Sequence, residues 1–284
     1  MQLPDKRYEG LHKPSVLSES EFKTLKKYVE CDIFKHLKIL QRIGSDSVYA
    51  TVWLANFNSP DLNVTFAIKV QRDVKKSEAE AKISYFLEKW FDYFLLMYYN
   101  IRCEKIVLSG ISYSGMFMFM EVAMSDLRQL IKYSNVTKSE LVSYVLNVCD
   151  SVEIMATNFI FHGDLHLGNV FLVKREGGIR AVIGDFGESQ YVVSPTSHLS
   201  DIGNFISQLS IELKSSALSS DVLSKNKLAL LTKHINKQTA VTEREFDLFL
   251  EKNDDPDRDL QEEKIQLLVK RDMDVIKDLV QGIF

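Results

Sequence analysis

The chain has 284 residues, 45% of them hydrophobic, and a formal net charge of −4. That is enough apolar material for one two-lobed domain or two small ones, and the weakly acidic balance leaves no basic footprint for nucleic acid. The three cysteines, Cys31, Cys103 and Cys149, are scattered and odd in number. They read as free thiols in a reducing compartment, with neither a disulfide framework nor a zinc site.

The N-terminal residues contain no apolar core of signal-peptide length. The most apolar stretch, residues 107–124, is broken by Ser, Gly and Glu121, short of the ~18 uninterrupted residues of a membrane span. A soluble, intracellular, cytoplasmic protein is expected. The first 17 or so residues are polar and look like an arm. Ser18-Glu-Ser-Glu21 has the form of a capping box opening a short helix to about residue 30. From residue 33 the text changes. β-Rich runs at 49–57 and 64–70 flank an Asn-Ser-Pro-Asp turn at 58–61, the signal of a hairpin. A helix is predicted over about 77–96, with Ala79, Ile83, Phe86, Leu87 and Trp90 on one side. Two more strands are expected near 105–109 and 116–122, around a turn region at Gly110 and Gly115.

The remainder reads helical apart from one hairpin. Thr137-Lys-Ser-Glu140 is a second capping box, and Leu141, Val145, Val148, Val152 and Met155 then recur at intervals of 4, 3, 4 and 3 residues. Strands at 170–174 and 179–184 are joined at Gly177-Gly178. From Asp201 the tail is mainly helical, with a charged break over 251–259 around Pro256. The charge run at 251–264 reads as a solvated loop and helix start.

The chemistry concentrates in two motifs. His162-Gly-Asp-Leu-His-Leu-Gly-Asn169 is followed, sixteen residues after its Asn, by Asp185-Phe-Gly187. An Asp, an Asn five residues later and a second Asp at a strand end are what phosphoryl transfer from MgATP needs. Asp164 would orient and deprotonate an acceptor hydroxyl. Asn169 and Asp185 would hold the metal ions that bridge the phosphates.

Phe66-Ala-Ile-Lys69 looks like the VAIK strand, and the motif order over roughly residues 40–206 resembles the protein-kinase-like superfamily. The resemblance implies an α+β, two-lobed fold. Residues 1–32 would form an arm and helix. Residues 33–123 would form a small antiparallel-sheet lobe with one main helix. Residues 124–284 would form a mostly helical lobe with a short activation segment and an atypical C-terminal part. ATP and Mg²⁺ would be the cofactors, bound between the lobes. Lys69 would set a compact charge against the phosphates, partnered by Glu80 on the next helix, with Glu78 as the alternative. Gly44, Ser47 and Ala50 stand where the family carries the three glycines of its phosphate loop. Met118-Phe-Met-Glu121-Val-Ala123 resembles the hinge whose backbone bonds the adenine, so Glu121 and Ala123 would flank the base with their side-chain identity loosely constrained.

The wording also departs from the protein-kinase pattern. Gly163 stands where many protein kinases carry Arg, which argues against switching by loop phosphorylation. His166 stands where Ser/Thr kinases carry Lys. An imidazole of ordinary pKa about 6.5 supplies charge there only if the phosphates hold it protonated. The HGDLHxGN wording is similar to aminoglycoside phosphotransferases. His162 reads as a structural brace. Only 13 residues separate Gly187 from Asp201, without an APE motif. Ser194-Pro-Thr196 reads as a turn rather than a phosphosite. The resemblance points first to an atypical serine/threonine kinase acting on a protein substrate. A small-molecule kinase of the aminoglycoside or choline type, and a pseudokinase serving as an interaction module, stay open. The compact, shortened text would suit a viral or bacterial-effector kinase in a host cytoplasm.

Overall fold

The structure, a computed structural model, describes residue 20 and residues 31–43, 50–60, 62–133, 136–215, 225–253 and 257–283. Apart from Ser20, the predicted N-terminal arm and helix lie outside the described residues. Two compact units emerge. The first runs to Ala123 and also takes in Val173–Gly178 and Asp185–Gly187, and the second holds the rest from Met124 onward.

The first unit is built on a five-stranded antiparallel sheet. Its strands are β1 (Leu37–Ile43), β2 (Ala50–Ser59), β3 (Leu62–Gln71), β4 (Met97–Leu108) and β5 (Ile111–Met120), in spatial order β1-β2-β3-β5-β4. The two-residue period of β3 divides its labour. Phe66, Ile68 and Val70 enter a buried cluster with Tyr98, Tyr99, Phe117 and Phe119, where Tyr99 and Phe119 stack with centroids 4.3 Å apart. Each fully buried aromatic of this kind contributes about 1.5–3 kcal/mol. Lys69, between Ile68 and Val70, therefore projects from the opposite face. There Met118, its partner in β5, packs with Ala81 of helix α1 (Val74–Leu87).

Helix α1 starts at Asp73, whose carboxylate accepts the Lys76 N–H at 3.1 Å. It buries Ser77, Glu80, Ala81, Ile83, Phe86 and Leu87. Ala79 is exposed, against the expected stripe. The helix also stops at Leu87, a 3₁₀ turn follows at Glu88–Trp90, and β4 opens at Met97, well before the expected strand. Met97–Ile101 is buried on both faces, and a run without polar–apolar alternation carries no period to separate helix from strand. Ser109 and Gly110, at φ 51° and 83°, make the two-residue hairpin turn. Gly115 lies inside β5 rather than in the turn, and a Cβ there would stand 2.2 Å from the Gln71 carbonyl oxygen. Cys103 is disulfide-bonded, which corrects the reading of three free thiols, since spacing along the chain does not show proximity across a sheet. Cys149 is free and buried, its thiol pushed up to about 12 by burial and so unreactive.

The second unit starts with β6 (Ser125–Asp126) and α2 (Leu127–Tyr133). Helix α3 (Lys138–Thr157) carries the predicted capping box. The Thr137 side chain accepts the Glu140 N–H, and the Glu140 carboxylate accepts the Thr137 N–H. The whole stripe from Leu141 to Met155 is buried. β7 (Ile160–Phe161), β8 (Val170–Arg175), β9 (Gly178–Ile183) and β10 (Gln190–Tyr191) follow, with β8 pairing both β6 and β9. Three long helices complete the unit: α4 (Ser197–Ser215), α5 (Lys225–Lys252) and α6 (Arg258–Ile283). α6 packs on α3 and on α5. α5 runs to Lys252, so the predicted charged break starts later than expected, and Pro256 lies outside the described residues. Asp272 of α6, fully buried, gathers the start of α4 and the middle of α5. Its carboxylate meets His198 Nε2 at 3.2 Å, Thr242 Oγ1 at 2.7 Å and Gln238 Nε2 at 2.8 Å. Among the described residues no helix is long and apolar enough to cross a membrane.

Candidate active site

Three predicted residues meet inside the first unit. Lys69 Nζ lies 2.7 and 2.9 Å from the two carboxylate oxygens of Glu80 and 2.6 Å from Asp185 Oδ1. Strand alternation puts Lys69 on the α1 face, and Glu80 lies on the buried side of α1. Glu78 is exposed and takes no part. Burial works to lower the Lys69 pKa, but the carboxylates of Glu80 and Asp185 outweigh it and hold the ammonium above its ordinary range. Burial pushes the Glu80 carboxyl up, Lys69 opposes this, and the charge of Asp185 adds to it. The cluster thus carries one cation between two carboxylates, and the half-exposed Asp185 is its outward member.

Asp185 is itself in a left-handed conformation, φ 62°, which costs a non-glycine residue about 1–2 kcal/mol. Phe186 beside it is buried edge-on against Phe94. At Gly187 a Cβ would sit 3.3 Å from Asp185 Oδ1 and 3.4 Å from Glu80 Oε2. A bare backbone there lets the turn lie against both carboxylates.

The second unit presents the HGDLHLGN loop. Leu165 and Leu167 are buried and anchor it, while Asp164 is exposed. His162 is fully buried; its Nε2 lies 3.2 Å from the Gly184 carbonyl and its Nδ1 accepts the Asp164 N–H at 3.3 Å. Both roles fit one neutral tautomer, protonated at Nε2. Asp201 of α4 accepts the His162 N–H at 2.9 Å and the Gly163 N–H at 3.2 Å. Burial raises the Asp201 carboxyl to about 7 against the pull of those two N–H groups. Gly163 has φ 79°, and a Cβ would stand 2.7 Å from the Glu188 carbonyl oxygen. This backbone leaves no room for the Arg that many protein kinases carry at this place.

Asn169 donates its Nδ2 to the Asp164 carbonyl at 3.0 Å, which leaves the amide oxygen Oδ1 for a ligand. His166 accepts the Gly168 N–H on Nδ1 at 3.0 Å, so its proton sits on Nε2, 3.7 Å from Asp164 Oδ2. An imidazolium would need a second proton on Nδ1 and would lose the Gly168 bond.

Gly44 and Ser47 lie outside the described residues, while Ala50 is the first residue of β2, opposite Gln71. Ala123 is half-buried at the end of the first unit's main segment. Glu121 is buried, and its side chain is far from loosely constrained. Its carboxylate accepts two guanidinium N–H bonds from Arg175, at 2.6 and 2.7 Å. Sequence reasoning missed Arg175. Its neighbours Lys174 and Glu176 make it look like part of a solvated hairpin tip, and its partner lies 54 residues upstream. Ser194 Oγ accepts the Thr196 N–H at 3.3 Å just ahead of α4, so Ser194-Pro-Thr196 does form a turn.

The donors fit a nucleotide-bound magnesium ion. Among the described residues no three His, Cys, Asp or Glu side chains form a metal cluster. Magnesium asks for less, one or two protein oxygens, with phosphate and water completing its shell. Asp185 and Asn169 each carry an oxygen donor of the kind magnesium takes, each within its own unit. A buried lysine paired with a helix glutamate beside a glycine-backed Asp, in the first unit, and a braced Asp–Asn loop, in the second, are each a feature of phosphotransferases of the protein-kinase type. A model of the protein tyrosine and serine/threonine kinase family matches residues 37–216, well over half of the chain, and the chain belongs to that family. No curated protein matches it closely enough to serve as a relative.

Proposed function

We propose that the protein transfers the γ-phosphoryl group of MgATP to a serine or threonine hydroxyl of a protein substrate. The observation that carries this reading is the position of Lys69 Nζ, within 2.9 Å of both Glu80 oxygens and 2.6 Å from Asp185. Glu80 holds the ammonium in place beside the half-exposed carboxylate of Asp185. When bound, Mg²⁺ offsets the charge that develops on the phosphoryl oxygens. Asp185 and Asn169 would be its protein ligands. Asp164 accepts the proton of the attacking hydroxyl, and His166, protonated on Nε2, steadies that carboxylate. Gly44, Ser47 and Ala50 would line the phosphates, and the backbone of Glu121 and Ala123 would hold the base. The protein's contribution is positioning and charge placement.

One observation favours a second reading, a small-molecule acceptor. After Gly187 the chain has only β10 and a short turn before α4 begins at Ser197, so little backbone is left for a peptide-docking platform. Incubating the protein with γ-labelled ATP and either a whole-cell lysate or a panel of hydroxylated metabolites separates the two. Labelled protein bands support the first reading. Labelled metabolites without bands replace it with the second.

A further inference from the structure

We infer that Arg175 is a positioning residue for recognition of the nucleotide base, acting through Glu121. The inference rests on the phosphotransferase reading above. Arg175 Nη1 donates to Glu121 Oε2 at 2.7 Å and Nη2 to Oε1 at 2.6 Å, a fork-to-fork pair between side chains that are 0% and 2% exposed. The guanidinium also donates Nε and Nη2 to the Phe91 carbonyl at 3.2 and 3.0 Å. Glu121 Oε1 accepts the Leu96 N–H at 2.8 Å, and the Glu121 N–H donates to the Leu96 carbonyl at 3.0 Å. Among the described residues the Glu121 carbonyl is the one hydrogen-bonding group of that residue with no such bond inside the unit. With the peptide held in one orientation, that carbonyl is left to accept from a ligand, and on the phosphotransferase reading from the exocyclic amino group of the base.

A buried ion pair is a poor device for stability alone, because an apolar pair of similar volume serves as well or better. What it adds is direction. Two parallel N–H···O bonds admit one carboxylate plane and one rotamer. With the Leu96 bonds on its other side, Glu121 has one peptide orientation. Arg175 lies on the β8–β9 hairpin tip, residues that belong to the first unit although the chain reaches them through the second. Lysine cannot replace the fork, since it offers a point charge without the planar pair of donors.

The test uses the full chain, Arg175→Lys and the double variant Arg175→Leu/Glu121→Leu. The readouts are melting temperature, MgADP affinity by calorimetry, KM for ATP against kcat, and the ATP-to-GTP preference. Both variants should fold, and both should bind MgADP about tenfold more weakly, the loss of roughly one well-made hydrogen bond. The defect should fall on KM rather than kcat, and the preference for ATP should narrow. A folded variant with wild-type affinity, KM and base preference would overturn the inference and leave Arg175 a structural residue. Wild-type protein that binds no MgADP would instead remove the phosphotransferase reading, and this inference with it.

Discussion

Replacing Lys69 with Met isolates the electrostatics of the buried cluster. Glu80 then stays 3% exposed with no cation beside it; burial and the charge of Asp185 raise its pKa, and the hydrogen bond from Gln71, the smallest influence, opposes them. The carboxyl escapes by taking a proton. From its ordinary value of 4.5 to pH 7 is a gap of about 2.5 pH units, which caps the cost at about 3 kcal/mol. Relief of the lysine's own desolvation offsets part of this, so about 2–3 kcal/mol is expected at pH 7. The sign follows from linkage. A carboxyl raised in the folded state holds a proton that the unfolded state has lost, so stability falls as pH rises from 4.5 through the raised value. The deficit of Lys69→Met should therefore shrink towards zero near pH 4.5 and grow up to neutrality. Trp53 and Trp90, the two tryptophans of the chain, both lie in the first unit, so fluorescence during urea unfolding reports on the relevant unit. Adding Glu80→Gln should abolish the pH dependence. A deficit that is the same at pH 5 and pH 7.5, or one that persists unchanged in the double variant, would refute the reasoning.

Gly163→Ala should destabilise the second unit by more than about 2 kcal/mol, from the left-handed backbone and the Glu188 carbonyl together; a melting temperature equal to wild type would contradict the geometry. His166→Asn should retain most activity, because its amide oxygen can take over from Nδ1 as acceptor of the Gly168 N–H. His166→Lys offers no acceptor and should lose about fivefold in kcat/KM at pH 7.5, roughly one hydrogen bond; a fully active Lys variant with a flattened pH profile would contradict this and support the charged-imidazole reading. Asp201 has a folded pKa raised by burial to about 7 from 3.8, so the stability it contributes fades as pH rises between those values. The deficit of Asp201→Asn against wild type should accordingly be larger at pH 5 than at pH 8 in denaturant titrations. A gap that widens with pH would show that the ionised carboxylate is what the two N–H groups hold.

The parts of this fold that the sequence announces are those governed by local rules. The alternation in Phe66–Val70 places Lys69 opposite the aromatic cluster. The Thr137–Glu140 capping box and the 4-3-4-3 stripe behind it mark α3 because capping and burial both act within a few turns. The HGDLHLGN and DFG spacings are legible because each motif is a short backbone device with few tolerated residues. Features that depend on contacts between distant segments are silent in the text. Arg175 and Glu121 each look ordinary until the hairpin tip folds back. The disulfide at Cys103 and the gathering of His198, Thr242 and Gln238 on Asp272 are of the same kind. The start of β4 is silent in the text because Met97–Ile101 is buried on both faces and so has no period. The accepting role of His166 Nδ1 depends on the Gly168 N–H pointing at it, an orientation that residue types alone do not specify.

The central claim is that Asp164 serves the transfer step within a phosphate-binding framework that does not need it. The most direct measurement is single-turnover transfer of labelled γ-phosphate from MgATP by the wild type and by Asp164→Asn, each at saturating nucleotide. The account predicts transfer by the wild type and a loss of at least about a hundredfold in the variant, the lower end of what a positioned general base supplies, with MgATP binding retained. Equal rates in the two proteins would contradict it.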